Sequence, residues 1–201
     1  MFKTKNIISL MIIILLLVVC NSAIAADVGL FYSQGELDTV GIKIDSKLNN
    51  NYLIKLSGES GNLFSKNDEG IIMEGYLYKN IKNKKDFNYY LGAGYKYSYN
   101  QHSNIIDGGK LNKNVLIISM KGLNKKGNFN IYGEIGYIPF GKYKYMDENQ
   151  KDLTGSVINI GIKTMINDNI MIFFEGNILN ENYNNFSNNT TGFKIGTGCD
   201  I

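Results

Sequence analysis

The chain has 201 residues, 21 of them Lys or Arg and 18 Asp or Glu, for a formal charge of +3, with two cysteines and one histidine. That balance gives no basic footprint for nucleic acid, and two cysteines exclude a small disulfide-built scaffold. No arginine is present, so the planar fork used for bidentate carboxylate or phosphate recognition is missing.

Lys3 and Lys5 precede an apolar run from Ile7 to Val19, and Ala23 and Ala25 follow at the spacing of an A-x-A cleavage site. These are the parts of a secretory signal peptide, and the run is too short for a transmembrane helix. Cleavage is expected after Ala25, leaving residues 26–201 as a single domain. LVVC at 17–20 is similar to a lipobox, but bulky Val19 stands where a small residue belongs. Loss of the leader removes Lys3, Lys5 and Cys20, which lowers the charge to about +1 and leaves Cys199 without an intramolecular partner.

From Ala26 onward the recurring signal is an alternation with period two, the mark of a strand whose faces meet different surroundings. A weak strand covers Val28 to Ser33, and residues 34–38 turn it. Val40, Ile42 and Ile44 then alternate with Gly41, Lys43 and Asp45. The triple Asn at 49–51 predicts a tight turn, since Asn tolerates positive φ. A three-residue loop sets Leu48 opposite Tyr52 and Asp45 opposite Lys55, so a cross-strand ion pair is expected.

Polar residues 61–69 lead to a strand over 70–79, with Ile71, Met73, Gly75 and Leu77 on one face and Glu74, Tyr76 and Tyr78 on the other. Residues 80–86 turn back into FNYYLGAGYKYSY at 87–99, which is the clearest alternation in the chain. Phe87, Tyr89, Leu91, Ala93, Tyr95, Tyr97 and Tyr99 share its apolar face, while Gly92, Gly94, Lys96 and Ser98 share the other. A polar loop at 100–112 follows. Leu116, Ile118 and Met120 mark the next strand, in which Val115 and Ile117 blur the faces. Phe129, Ile131, Ile135 and Tyr137 alternate with Asn130, Tyr132 and Glu134.

Residues 141–152 read as a loop, and Ile158, Ile160 and Ile162 as a strand. A turn at 166–168 leads into Ile170, Ile172, Phe174 and Ile178, with Phe173 and Glu175 behind them. Residues 180–189 read as the last loop. Phe193, Ile195, Thr197, Cys199 and Ile201 alternate with Lys194, Gly196, Gly198 and Asp200.

About ten strands result, or eight if the first hairpin is dropped. Short turns fall at one end and longer polar stretches at the other, which predicts an all-β fold: a closed antiparallel transmembrane β-barrel. The polar face carries Lys43, Asp45, Lys55, Glu59, Glu74, Lys96, Lys121, Glu134, Lys163, Glu175, Lys194 and Asp200. These are expected to line a lumen as structural ion pairs. Phe87 and Phe129 at the turn end, with Tyr95, Tyr97, Tyr99, Tyr137 and Phe140 at the loop end, fit interfacial aromatic girdles. On the apolar face Leu91→Lys is expected to cost about 2 to 4 kcal/mol at mid-bilayer, and Gly92→Ser on the other face to be milder.

The A-I-A region, YYLGAGYKYS at 89–98, IYGEIGYIPF at 131–140 and the closing FKIGTGCDI together resemble the small bacterial outer-membrane β-barrel family that includes opacity-type and OmpA-type barrels. Ile201 stands where such barrels usually end in Phe or Trp. The resemblance implies the outer membrane of a diderm bacterium, with contacts to its lipid and to the barrel-assembly machinery, and a monomer.

No metal-ligand spacing and no cofactor motif is found, and GxG at 92–94 and 196–198 opens no helix, as a phosphate-binding loop would. The lone His102 beside Ser103 in an outer loop is the one starting point for a hydrolase, and a weak one, because adjacent residues do not converge. The expected role is non-enzymatic: support of the envelope, or binding of an extracellular ligand through the loops. The alternative is a narrow, porin-like passive pore.

Overall fold

The computed structural model describes residues 25–35, 38–49, 51–61, 68–102, 110–126, 128–146, 149–167, 169–183 and 187–200. Residues 1–24 of the expected leader, Cys20 among them, and Ile201 lie outside them, while Ala25 opens the first strand. Ten strands follow in chain order: β1 Ala25–Gln34, β2 Thr39–Asn49, β3 Tyr52–Gly61, β4 Asp68–Lys84, β5 Phe87–His102, β6 Lys110–Lys126, β7 Phe129–Tyr145, β8 Lys151–Met165, β9 Ile170–Tyr183 and β10 Ser187–Asp200. Each pairs antiparallel with its sequence neighbours, and β1 closes on β10 from Asp27 opposite Asp200 to Gln34 opposite Phe193. Closure leaves no strand edge that would need water, which is what hydrocarbon demands of a sheet.

The faces decide the medium. Glu134 is 1% exposed and Ile135, next along β7, is 61% exposed. The same inversion recurs around the wall. Leu30, Leu77, Leu91, Ile118, Ile131, Ile160 and Phe174 point outward and exposed, while Lys43, Lys55, Glu59, Lys121 and Glu175 are buried inside. A water-soluble barrel has the opposite arrangement, so the exposed belt is a lipid-facing surface.

The strands overrun the predicted loops. Residues 141–145 belong to β7, 180–183 to β9 and 187–189 to β10, so the connections at that rim shrink to short segments. At a rise of about 3.4 Å per residue, β4 to β7, with 16 or 17 residues each, exceed what a tilted crossing needs. Their ends leave the bilayer, where both faces meet water and alternation fades although the backbone ladder continues. His102 is therefore the last residue of β5, opposite Asp68 in register, and not a loop residue.

Two turns also differ from expectation. Asn49, and not Leu48, pairs with Tyr52, because a bulge between Lys47 and Asn49 absorbs Leu48. The Asn49 side-chain oxygen accepts the backbone N–H groups of Asn51 and Tyr52 at 2.8 and 3.0 Å, a local bond that selects the tighter turn. Asn167 does the same for Asn169 and Ile170 between β8 and β9. Residues 80–84 continue β4 past a bulge between Asn80 and Lys82, leaving only Lys85 and Asp86 as the turn.

The only proline sits in β7. Pro139 lies where the register shifts against both neighbours, between Leu116 and Ile118 on β6 and between Ile138 and Gly141 on the β8 side. A residue with no N–H to give the ladder is confined to such irregularities.

Candidate functional site: a charged and aromatic lumen

Inward side chains of β2, β3, β4 and β7 to β10 hold four carboxylates in the lumen. Lys194 on β10 pairs with Glu59 on β3 and, at 3.2 Å, with Glu74 on β4. Thr39 donates its hydroxyl to Glu59 at 2.7 Å, and Ser57 and Tyr76 donate theirs to Glu74 at 3.2 and 3.3 Å. Glu175 on β9 lies 3.9 Å from Lys55 and accepts the Tyr132 hydroxyl at 2.5 Å. Glu134 accepts from Tyr78 at 2.6 Å and from Asn159 at 3.4 Å. A buried carboxylate is tolerable only with several such donors, and here each of these four has at least two partners.

The remaining inward lysines use rings as well as carboxylates. Lys43 stands 3.3 Å from the centroid of Phe173, and Lys121 lies 5.0 Å from Tyr132 and 5.5 Å from Tyr78. Lys163 pairs with Asp27. Lys96 lines the central cavity. The side chain of Asp200 lies outside the described residues.

One expected pair is not made. The register does put Asp45 opposite Lys55, but Lys55 reaches Glu175 instead, and Asp45 Oδ1 is buried without a hydrogen-bond partner. Inside a narrow tube a long side chain meets the far wall as readily as the adjacent strand.

Three charges that the sequence reading missed also line the interior: Asp27, beside Lys163, and the pair Lys113 and Glu181. Lys113 and Glu181 are each 3% exposed and form a two-pronged contact at 2.9 and 3.1 Å, with Tyr183 donating to the same carboxylate at 2.7 Å. Parity could have found both, since Lys113 shares the face of Lys121 and Glu181 that of Glu175. Glu181 was hidden because it fell within an expected loop.

Glycines on the polar face face rings of the neighbouring strand. Gly92 pairs with Tyr78 and Gly94 with Tyr76, and Gly161 pairs with Tyr132. A Cβ at Gly92 would stand 2.5 Å from Tyr78 Cδ1 and 2.6 Å from Leu77 O, and one at Gly94 would enter the Tyr76 ring. GxG at 92–94 is thus a bed for two stacked tyrosines, whose centroids are 5.7 Å apart. For Gly92→Ser, expected to be milder than Leu91→Lys, this contact adds a packing cost that the alternation did not show.

Toward the loop rim an aliphatic wall of Val115, Ile117, Ile138, Leu153, Val157 and Leu179 fills the lumen beside Tyr143 and Tyr183. The cavity between this wall and Lys194 has a volume of about 50 Å3. That is room for a few waters at roughly 10 to 15 Å3 each, against roughly 300 to 1,000 Å3 for pockets that take small molecules. Among the described residues no group of His, Cys, Asp and Glu could hold a metal.

Of the expected girdle residues, Phe87, Phe129, Tyr95, Tyr137 and Phe140 face outward and are exposed. Tyr97 and Tyr99 are half-buried, with their hydroxyls donated to Asn112 and Gln101.

The solved structures that share this wall are outer-membrane proteins. The outer-membrane protease OmpT from Escherichia coli superimposes with a TM-score of 0.53 at 14% identity, over 88% of this chain and 95% of that one. The chain has the fold of an outer-membrane β-barrel. The N-terminal β-barrel domain of OprF from Pseudomonas aeruginosa gives a TM-score of 0.43 at 12% identity, covering 88% and 97% of the two chains. Ail from Yersinia pestis gives 0.44 at 13%, covering 88% and 99%. No family model and no curated protein matches the sequence. The likeness to OmpT shows the barrel's fold and carries nothing of that protein's chemistry.

Proposed function

We propose that this barrel is a non-enzymatic outer-membrane protein that supports the envelope or binds an extracellular partner through its loop-side rim. The observation that carries this reading is the filled lumen. Its carboxylates are satisfied by lysines, tyrosines and hydroxyls, an aliphatic wall occupies the loop-side half, and the cavity is only about 50 Å3. Such an interior supports a rigid display scaffold better than a route for solutes. It also leaves the buried carboxylates engaged in structural contacts instead of facing a substrate. Barrel-assembly machinery as a folding partner, a monomeric state and cleavage after Ala25 belong to the same proposal.

Planar-bilayer recording tests it. Silence at moderate voltage is expected, and reproducible open steps would replace the scaffold with a pore. A hydrolase activity lost in His102→Ala would overturn the non-enzymatic part. The membrane placement is tested separately by heat-modifiable migration on a gel, which a closed barrel extracted from membranes should display.

A further inference from the structure

The bulge in β4 changes which way two lysines point. Upstream, Lys79 pairs with outward Leu91. Had the alternation continued, Lys82 and Lys84 would face the lumen, because they share the parity of Tyr76 and Tyr78. The register shift between Asn80 and Lys82 instead sets Lys82 opposite Tyr89 and Lys84 opposite Phe87, both on the outer face. The Asn80 amide donates to Asn83 Oδ1 at 2.5 Å, a contact that spans the irregularity.

Three further features single out this hairpin. Lys79, Lys82, Lys84 and Lys85 are all exposed, and among the described residues none is paired with a carboxylate. The last β3 partner of β4 is Tyr52 opposite Lys79, so residues 80–84 stand beyond β3 at the turn-side rim. The apolar belt runs directly into them, with Leu77 49% and Ile81 54% exposed and Phe87 stacked on Tyr89 at 5.8 Å. An aromatic pair beside an aliphatic anchor marks the level of the bilayer interface, and lysines just beyond it reach the headgroup layer.

We propose that Lys79, Lys82, Lys84 and Lys85 form a binding surface for the phosphates of anionic glycerophospholipids in the turn-side leaflet. The proposal rests on the membrane reading of the barrel and adds the lipid class. Juxtamembrane lysines attract anionic headgroups with about 1 kcal/mol each, or about fivefold in affinity. Lysine suits the task, since a flexible ammonium follows mobile phosphates without a fixed geometry.

The test is competition on the purified full-length protein folded in neutral detergent. It is mixed with equal amounts of phosphatidylglycerol and phosphatidylcholine of identical chains, and retained lipid is read by native mass spectrometry. Preferential retention of phosphatidylglycerol is expected, with up to about fivefold of that preference lost for each lysine removed in Lys82→Ser/Lys84→Ser/Lys85→Ser. Lys142→Ser/Lys144→Ser at the opposite rim should leave it unchanged.

Equal retention of the two lipids, or equal loss in the two variant sets, would overturn the proposal. Should the triple variant not fold, the unaltered protein still decides, because the preference must collapse as salt rises. A preference indifferent to salt would also overturn it. Retention of neither lipid, with no heat-modifiable migration, would count instead against the membrane reading.

Discussion

The hydroxyl of Tyr78 donates a 2.6 Å hydrogen bond to Glu134 Oε1, tying β4 to β7 through the lumen across the two strands that separate them along the wall. Tyr78 is fully buried and its ring covers Gly92, so the same side chain packs against one neighbour and satisfies a carboxylate on a distant one. Tyr78→Phe keeps the ring and leaves Glu134 with the longer Asn159 contact. A loss of about 1.5 to 3 kcal/mol is expected for a bond to a charged group. Urea titration in lipid vesicles, followed by the folded gel band or circular dichroism, measures it, since the chain has no tryptophan. An unchanged midpoint would mean that Glu134 is held by other groups.

Three substitutions separate the faces of the wall. Leu91→Lys places a charge on the exposed belt level with Lys79, toward the turn-side rim, so its cost should fall below the about 2 to 4 kcal/mol of the bilayer midplane. Gly92→Ser drives a Cβ into Tyr78 and the Leu77 carbonyl, an overpacking cost of about 1 to 3 kcal/mol. Gly133 faces outward with nothing within 4 Å of an added Cβ, so Gly133→Ala should stay within about 0.5 kcal/mol. If Gly133→Ala were as harmful as Gly92→Ser, the packing account of the inner glycines would be wrong.

Lys194 neutralises two carboxylates from different strands. Lys194→Met leaves Glu59 and Glu74 facing each other in the lumen, and a loss of about 3 to 5 kcal/mol is expected from the uncompensated charge. Adding Glu59→Gln and Glu74→Gln should recover most of that loss. Failure of the triple variant to recover would move the role of Lys194 from charge to its packing against Phe31.

Two ion pairs in the upper wall differ sharply in exposure. Lys113 and Glu181 are 4% and 3% exposed at the side chain, against 55% and 73% for Lys142 and Asp152. Double-mutant cycles should give a coupling above about 1 kcal/mol for the buried pair and about 0.2 to 1 kcal/mol or less for the exposed one. Raising salt should shrink only the second.

Legibility in the sequence tracked locality. Val115 and Ile117 blurred the face of β6 because apolar residues also fill the lumen near the loop rim. Leu116, Ile118 and Met120 were nonetheless assigned to the apolar face, which is where the structure has them. Glu181 escaped notice because β9 continues above the bilayer, where polar residues occupy both faces. The bulges at Leu48, at Asn80–Lys82 and around Pro139 were invisible, since an inserted residue is defined only against a partner strand.

Alternation, with short turns at one end and longer polar stretches at the other, predicted a closed wall of about ten strands, or eight, with lysines and carboxylates behind an apolar face, because successive side chains of a strand point to opposite sides whatever the strand pairs with. It also placed Asp45 opposite Lys55. Only the tertiary structure decided that Lys55 turns to Glu175, that Lys194 bridges Glu59 and Glu74, and that Lys82 and Lys84 lie on the outer face instead of the lumen. Those outcomes depend on closure and on register between strands far apart in the chain, and curvature brings together side chains that no local spacing relates.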